Sequence, residues 1–258
     1  MAADLVLTRV ENKIGFITLN RPEALNTFVP DFADQLDQAL WAMEKDDAVR
    51  VVVINAAGKH FCTGISLDQF NNKSHKEYRK FLYRIDAFYH TLAMMDKPTI
   101  ASVQGFALAN GAGLSFGCDM TVAAETATFG TTAINVGLIC LGPAVPMTKL
   151  IGKKKTMEMV LTGDMISAAE AEKLGLVNKV VPEDELEAET LKLAQKLVTK
   201  SPVALRIGKE GLKRLQDVPY HQALDSMDDL FATLCATHDA EEGVKAFLEK
   251  RAPNWKGC

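Results

Sequence analysis

Lys97-Pro98-Thr99-Ile100-Ala101-Ser102-Val103-Gln104-Gly105-Phe106-Ala107-Leu108-Ala109-Asn110-Gly111-Ala112-Gly113-Leu114-Ser115-Phe116-Gly117-Cys118-Asp119 is the stretch on which the fold turns. Pro98 ends a helix, and Thr99 to Val103 reads as a strand. A glycine-rich run follows, and Met120 to Ala123 reads as the next strand. Upstream, Val51-Val52-Val53-Ile54 is a continuous apolar run, as expected of a strand covered on both faces. Asp4 to Val10 and Ile14 to Leu19 read as paired strands around a turn. Phe32, Leu36, Leu40 and Met43 recur at helical spacing, with Asp31 as the expected cap. Tyr78, Phe81, Leu82, Ile85, Tyr89 and Leu92 predict one helix before Pro98. This β→α alternation implies right-handed crossovers and a largely parallel sheet. Downstream the periodicity predicts helices over about 143–151, 154–162, 167–174, 183–199, 202–216, 220–236 and 239–250. Leu224, Met227, Phe231 and Leu234 form an apolar stripe suited to core or to a subunit contact.

The chain has 258 residues, room for one large domain or two small ones. Lys+Arg is 29 and Asp+Glu is 33, a formal charge of −4. No basic excess exists to neutralise a phosphate backbone, so no nucleic-acid partner is expected. Hydrophobic residues are 48% and charged residues 24%, the balance of a soluble globule. Cys62, Cys118, Cys140, Cys235 and Cys258 are odd in number and scattered, which points to a reducing compartment. The acids in the first residues argue against a signal peptide. Apolar runs of about ten residues or fewer are too short to span a bilayer. A cytoplasmic protein is expected, with the mitochondrial matrix compatible if the chain is a processed form.

The glycine-rich run admits three readings. Gly111-Ala112-Gly113-Leu114-Ser115-Phe116-Gly117 resembles a dinucleotide fingerprint, which needs an acid roughly 20 residues on. No Asp or Glu stands between Glu125 and Glu158. Gly113-Leu114-Ser115-Phe116-Gly117 is a formal nucleophile elbow, with His221 or His238 to complete a triad. Its strand ends near Val103–Gln104, too early for the sharp turn this motif needs, and the alternative places Ser115 on the packed side of a helix. In the third reading, Gly111 and Gly113 let a helix start approach a ligand. Its free N–H groups would hold a thioester oxygen that becomes an enolate. A second donor loop must then face the first, and Gly58-Lys59-His60-Phe61-Cys62-Thr63-Gly64-Ile65-Ser66-Leu67 is the candidate.

Six segments carry a resemblance over nearly the whole chain. They are Leu19-Asn20-Arg21-Pro22-Glu23-Ala24-Leu25-Asn26; Gly58 to Ser66; Lys97 to Ala107, running to Cys118-Asp119; Phe129-Gly130 with Val136-Gly137-Leu138; Leu161-Thr162-Gly163 through Ala168-Ala169-Glu170-Ala171 and Gly175-Leu176-Val177-Asn178 to Val181; and Phe247-Leu248-Glu249-Lys250-Arg251-Ala252-Pro253. Collinear and correctly spaced, they resemble the enoyl-CoA hydratase/isomerase (crotonase) superfamily. The resemblance implies an α/β, ClpP-like crotonase fold of repeated ββα turns. It implies a spiral core over residues 1–195 and a C-terminal helical trimerisation region over 196–258. It implies an acyl-CoA thioester as partner, homotrimers or hexamers, a place in fatty acid metabolism, and no cofactor beyond the substrate's CoA moiety. By motif position it gives the oxyanion-hole N–H groups to Ile65 and Asn110. Asn110 departs from the usual glycine, and its side chain is expected to narrow the pocket. The resemblance lays CoA along Glu23, Ala24 and Leu25, and brings Phe247 and Lys250 to its adenine and phosphates, often from a neighbouring subunit.

Hydratases of this superfamily resemble two-glutamate machines in which the paired acids activate and deliver water. The first position corresponds to Gly113 and the second to Ala133, so neither acid is present. A third position used by some members falls around Cys140-Leu141, also apolar. Asp86 and His90 are four apart on the helix before Pro98 and share a face. Asp86 is the candidate base, as in a dehalogenase branch that uses a base on that helix; the alternative is a solvent-edge pair. Asp68, Asn135, Cys62 and Cys140 are weaker candidates. His60 and Cys62 alone do not make a metal site. Absence of both acids resembles the branch of enoyl-CoA hydratase domain-containing protein 3. The expected function is an enoyl-CoA hydratase/isomerase-type lyase or isomerase with non-standard acid/base groups, the alternative being a non-catalytic acyl-CoA binder.

Overall fold

The structure is a computed structural model that describes residues 4–215 and 218–258. The expected core start at Met1 and helix end at Gln216 lie outside the described residues. Nine strands are described: β1 (Val6–Glu11), β2 (Ile14–Leu19), β3 (Val51–Ala56), β4 (Thr99–Val103), β5 (Phe106–Leu108), β6 (Met120–Ala124), β7 (Thr128–Gly130), β8 (Met165–Ser167) and β9 (Lys179–Val181). Ten helical segments accompany them: α1 (Pro30–Lys45), α2 (His75–Ile85), α3 (Ala87–Met94), α4 (Asn110–Gly117), α5 (Leu141–Thr162, broken at Gly152 with φ 74° and ψ 167° into the two helices the periodicity predicts), α6 (Ala168–Leu174), α7 (Leu186–Val198), α8 (Pro202–Arg214), α9 (Tyr220–Cys235) and α10 (His238–Leu248).

One sheet runs β1-β2-β3-β4-β6-β9, with only the β1/β2 hairpin antiparallel. A second, β5-β7-β8, lies beside the glycine-rich run. Strand alternation divides the core. Ile17, Leu19, Val52, Ile54, Ala101 and Val103 belong with α1, α3 and α4, while Ile14, Phe16, Val51, Val53, Ile100 and Val122 pack with α7. Both faces are therefore covered, which is why these strands read as unbroken apolar runs.

Two helix expectations change. The cap of α1 is Val29, with Pro30 in the first turn, because a proline there needs no N–H partner. Asp31 instead bonds Arg84, which also grips Asp34 and fastens α2 to α1. The expected single helix through Tyr78 and Leu92 is two, broken at Asp86, which closes α2 and opens α3 with φ −94° and ψ 5°. Beyond the core, Lys209 bonds the Asp119 carboxylate and the Lys97 carbonyl, tying α8 to the strand bearing the glycine-rich run. The C-terminal stripe does not form core within this chain: Leu224 and Phe231 are exposed, while Met227 lies over Gly211. No helix among the described residues is long and apolar enough to cross a membrane.

Candidate active site

Two loops meet at the head of α4. The first leaves β3 and is clamped on both sides. Cys62 N–H donates to the Phe106 carbonyl at 3.0 Å, and Leu108 N–H donates to the Cys62 carbonyl at 2.9 Å. Phe28 N–H donates to the Gly64 carbonyl at 2.7 Å, and Ser66 N–H donates to the Phe28 carbonyl at 3.0 Å. Gly64 has φ +96°, a conformation in which a side chain would be strained. The second loop passes through Ala109, a non-glycine residue at φ 47° and ψ −121°, into Asn110, the first residue of α4. Such backbone strain persists where the surroundings over-determine it, commonly at functional sites. A Cβ added at Gly64 would lie 3.6 Å from Asn110 N, so Ile65 and Asn110 flank one gap. Among the described residues neither of their N–H groups has an acceptor in the chain. One free donor at a helix start and a second on the facing loop make a pair suited to stabilising an anion.

Asn110 also reaches sideways. Its Nδ2 donates to Asp86 Oδ1 at 2.8 Å, so the side chain expected to narrow the pocket instead holds a carboxylate. The helix break at Asp86 sits at this contact. Burial pushes the Asp86 carboxyl above the ordinary aspartate value; the Asn110 hydrogen bond and nearby His90 pull it down less strongly. Asp86 also lines a cleft of about 440 Å³ along α2 and α3, with Tyr78, Arg79, Leu82, Tyr83 and His90. Asp86 and His90 thus share the cleft, and Asp86 bonds the Asn110 side chain at the head of α4.

Gly113 stands one helical turn after Asn110. A Cβ there would lie 1.7 Å from Tyr89 Oη, so the tyrosine hydroxyl occupies the space that a side chain at 113 would use. Tyr89 Oη is buried and has no hydrogen-bond partner. Burial first, then Asp86, Cys140 and Cys62, raise this phenol well above its ordinary value, so it is a neutral donor. Tyr89 was read from the sequence only as part of an apolar helix face. The one available signal was the pairing of a tyrosine in that stripe with a glycine where a large residue was expected.

The Glu23-Ala24-Leu25 loop is a short 3-10 turn closed by Leu25 in the left-handed region. It is held beside the loop that follows β3 by Asn26, which is fully buried. Asn26 Oδ1 accepts from Arg21 N–H at 2.7 Å, and Nδ2 donates to the Ala57 and His60 carbonyls at 3.0 and 2.9 Å. Asn26→Ala would leave these three backbone groups unpaired. A loss of about 2–4 kcal/mol is expected, at about 1 kcal/mol per bond with a penalty for the orphaned groups, and a urea midpoint measures it.

The remaining candidates separate cleanly. His60 Nδ1 accepts from Phe106 N–H, and the ring stacks on Phe106 at 4.6 Å, a structural role. Cys62 is buried and its thiol is pushed up to about 12, which leaves it inert. Burial also raises Cys140. Asp68 is exposed, and exposed Asn135 makes only a long, weak contact of 3.5 Å from Nδ2 to the Gly163 carbonyl. Ser115 is buried in α4 against Thr121 Oγ1 at 3.0 Å, which removes the nucleophile-elbow reading. Phe247 and Lys250 are exposed at the end of α10, which packs on α8 and α9 rather than on the two loops at the head of α4.

The Enoyl-CoA hydratase/isomerase family model matches residues 9–258. A Rhizobium meliloti protein named "Probable enoyl-CoA hydratase" is 36% identical over 257 residues, 99% of this chain and 99% of that protein. The crystal structure of an enoyl-CoA hydratase from Mycobacterium smegmatis superposes with a TM-score of 0.94 at 35% identity, covering 97% of this chain and 98% of that one. Human enoyl-CoA hydratase domain-containing protein 3, the branch the sequence resembles, superposes with a TM-score of 0.93 at 30% identity over 97% of this chain and 100% of that one. With its sheet order, its paired loops and these similarities in agreement, the chain belongs to the enoyl-CoA hydratase/isomerase family.

Proposed function

We propose that the protein is an enoyl-CoA hydratase-type enzyme in which Asp86 replaces the missing glutamate pair. The observation that carries this is the hydrogen bond from Asn110 Nδ2 to Asp86, which sets a half-buried carboxylate of raised pKa beside the residue whose backbone N–H is free. The thioester oxygen binds the Ile65 and Asn110 N–H groups. Asp86 takes a proton from water as the water oxygen bonds to the acyl β-carbon. The electron pair of the double bond passes into an enolate held by the two donors. The proton then returns to the α-carbon, so the elements of water are added and the protein is unchanged. The same constellation serves double-bond isomerisation, with the proton moved along the acyl chain.

CoA lies along Glu23, Ala24 and Leu25. Phe247 and Lys250 meet its adenine and phosphates from a second copy of the chain. The exposed Tyr220, Leu224, Phe231 and Leu248 supply apolar area for a trimer or hexamer. Steady-state assay with crotonyl-CoA and longer enoyl-CoAs tests the reading. Tight acyl-CoA binding without turnover, indifferent to Asp86→Ala, would replace it with the binder alternative, which the proton-inert Gly113 and Ala133 favour.

The pH profile has a definite sign. Asp86 works deprotonated, so kcat/KM falls as pH drops through its pKa. Because burial raises that pKa, the acid limb lies above the ordinary aspartate value of about 3.9. An acid limb at or below that value removes Asp86 as the base.

A further inference from the structure

We infer that Tyr89 Oη is a specificity-determining donor for a hydroxyl on the acyl β-carbon, so that the site selects β-hydroxyacyl thioesters over unsubstituted ones. The inference rests on the acyl-CoA reading above and adds the group that is recognised.

Three observations carry it. First, Tyr89 Oη is a buried side-chain oxygen with no partner. A hydroxyl stripped of water and left unpaired is costly, and a site built on such a group rejects a ligand that cannot satisfy it. Second, the hydroxyl sits against Gly113, three residues along α4 from the Asn110 donor. Three helical residues rise about 4.5 Å, the order of the span from a thioester oxygen to a substituent on the β-carbon. Third, the ring is held in place. It packs on Phe88 with centroids 4.1 Å apart, and a Cβ at Gly142 would lie 3.2 Å from its Cε2. The same point at Gly142 is 3.5 Å from both Asp86 carboxylate oxygens, so the carboxylate and the tyrosine ring both border Gly142.

The pair defines the chemistry of its ligand. Tyr89 O–H donates and the Asp86 carboxylate accepts. An alcohol or a water molecule satisfies both, because it accepts one hydrogen bond and donates another. A ketone accepts from Tyr89 but offers Asp86 no proton, and a carboxylate is repelled by Asp86. An unsubstituted acyl chain leaves Tyr89 unpaired.

Equilibrium dialysis of 3-hydroxybutyryl-CoA and butyryl-CoA against the wild type and Tyr89→Phe tests this, with thermal unfolding of the ligand-free proteins alongside. The wild type is expected to prefer the hydroxylated ligand by about tenfold. Tyr89→Phe should abolish that preference by weakening 3-hydroxybutyryl-CoA alone, with butyryl-CoA affinity within about twofold. Ligand-free Tyr89→Phe should melt no lower than the wild type, and up to about 2–4 °C higher, since it sheds an unpaired buried hydroxyl. Equal affinities in the wild type, a preference that survives in Tyr89→Phe, or a lower melting temperature would overturn the inference. Failure of both ligands to bind would instead strike the acyl-CoA reading, and the inference would fall with it.

Discussion

Asp86→Asn is expected to lower kcat/KM for crotonyl-CoA by about 10²–10⁴-fold, the usual loss when a general base is removed. The substitution is nearly isosteric, and its amide oxygen can still accept from Asn110 Nδ2. Its charge is what disappears. Burial already disfavours that charge in the folded protein, so the variant should unfold no more easily than the wild type. Binding of acyl-CoA should persist, because the Ile65 and Asn110 N–H groups are backbone donors. Stopped-flow binding beside steady-state turnover separates the two terms. Activity within about threefold of the wild type would show that the proton is moved by another group.

Gly111→Ala is expected to disable the site by a different route. A Cβ at 111 would stand 2.1 Å from the Cys62 carbonyl oxygen and 2.6 Å from its carbon. Both atoms are backbone, and that carbonyl also accepts from Leu108 N–H, so no flexible side chain can yield. The loop bearing Ile65 must move relative to α4. Overpacking of this kind costs about 1–3 kcal/mol of stability. Misplacing an oxyanion donor costs about 10²–10³-fold in kcat. Gly208→Ala is the internal control: nothing lies within 4 Å of its Cβ position in α8. There the gain in helix propensity should stabilise by about 0.5–1 kcal/mol with turnover unchanged. Equal loss of activity in both variants would mean that the close approach at Gly111 is not what sets the oxyanion geometry.

Much of the fold was legible because it depends on local periodicity. The β2 and β3 runs alternate between two buried faces, and the helices from α7 to α10 follow apolar stripes. Strands β5, β7, β8 and β9 were not legible. Each is three residues long, too short for a period to show, and each exists because a neighbouring strand pairs with it. The break at Asp86 was hidden for a related reason. Tyr78, Phe81, Ile85 and Leu92 continue a helical pattern across it, and the Asn110 side chain that meets Asp86 is 24 residues further along the chain.

The candidate site divides in the same way. Motif spacing pointed to Ile65 and Asn110, and the structure brings their two loops together with both backbone N–H groups free, because a backbone donor depends on where the chain turns rather than on which side chain it bears. Motif spacing also showed that Gly113 and Ala133 bring no acid. It did not reveal that Tyr89 fills the room left at Gly113, or that the Asn110 side-chain amide bonds the Asp86 carboxylate. Those pairings join the start of α3 to α4 across strands β4 and β5 between them. The sequence by itself determined the family, the layered sheet and the two loops that present free N–H groups, since these follow from periodicity and glycine placement. Only the tertiary structure decided which polar side chains face those loops, since helix packing can bring together groups that no local pattern relates.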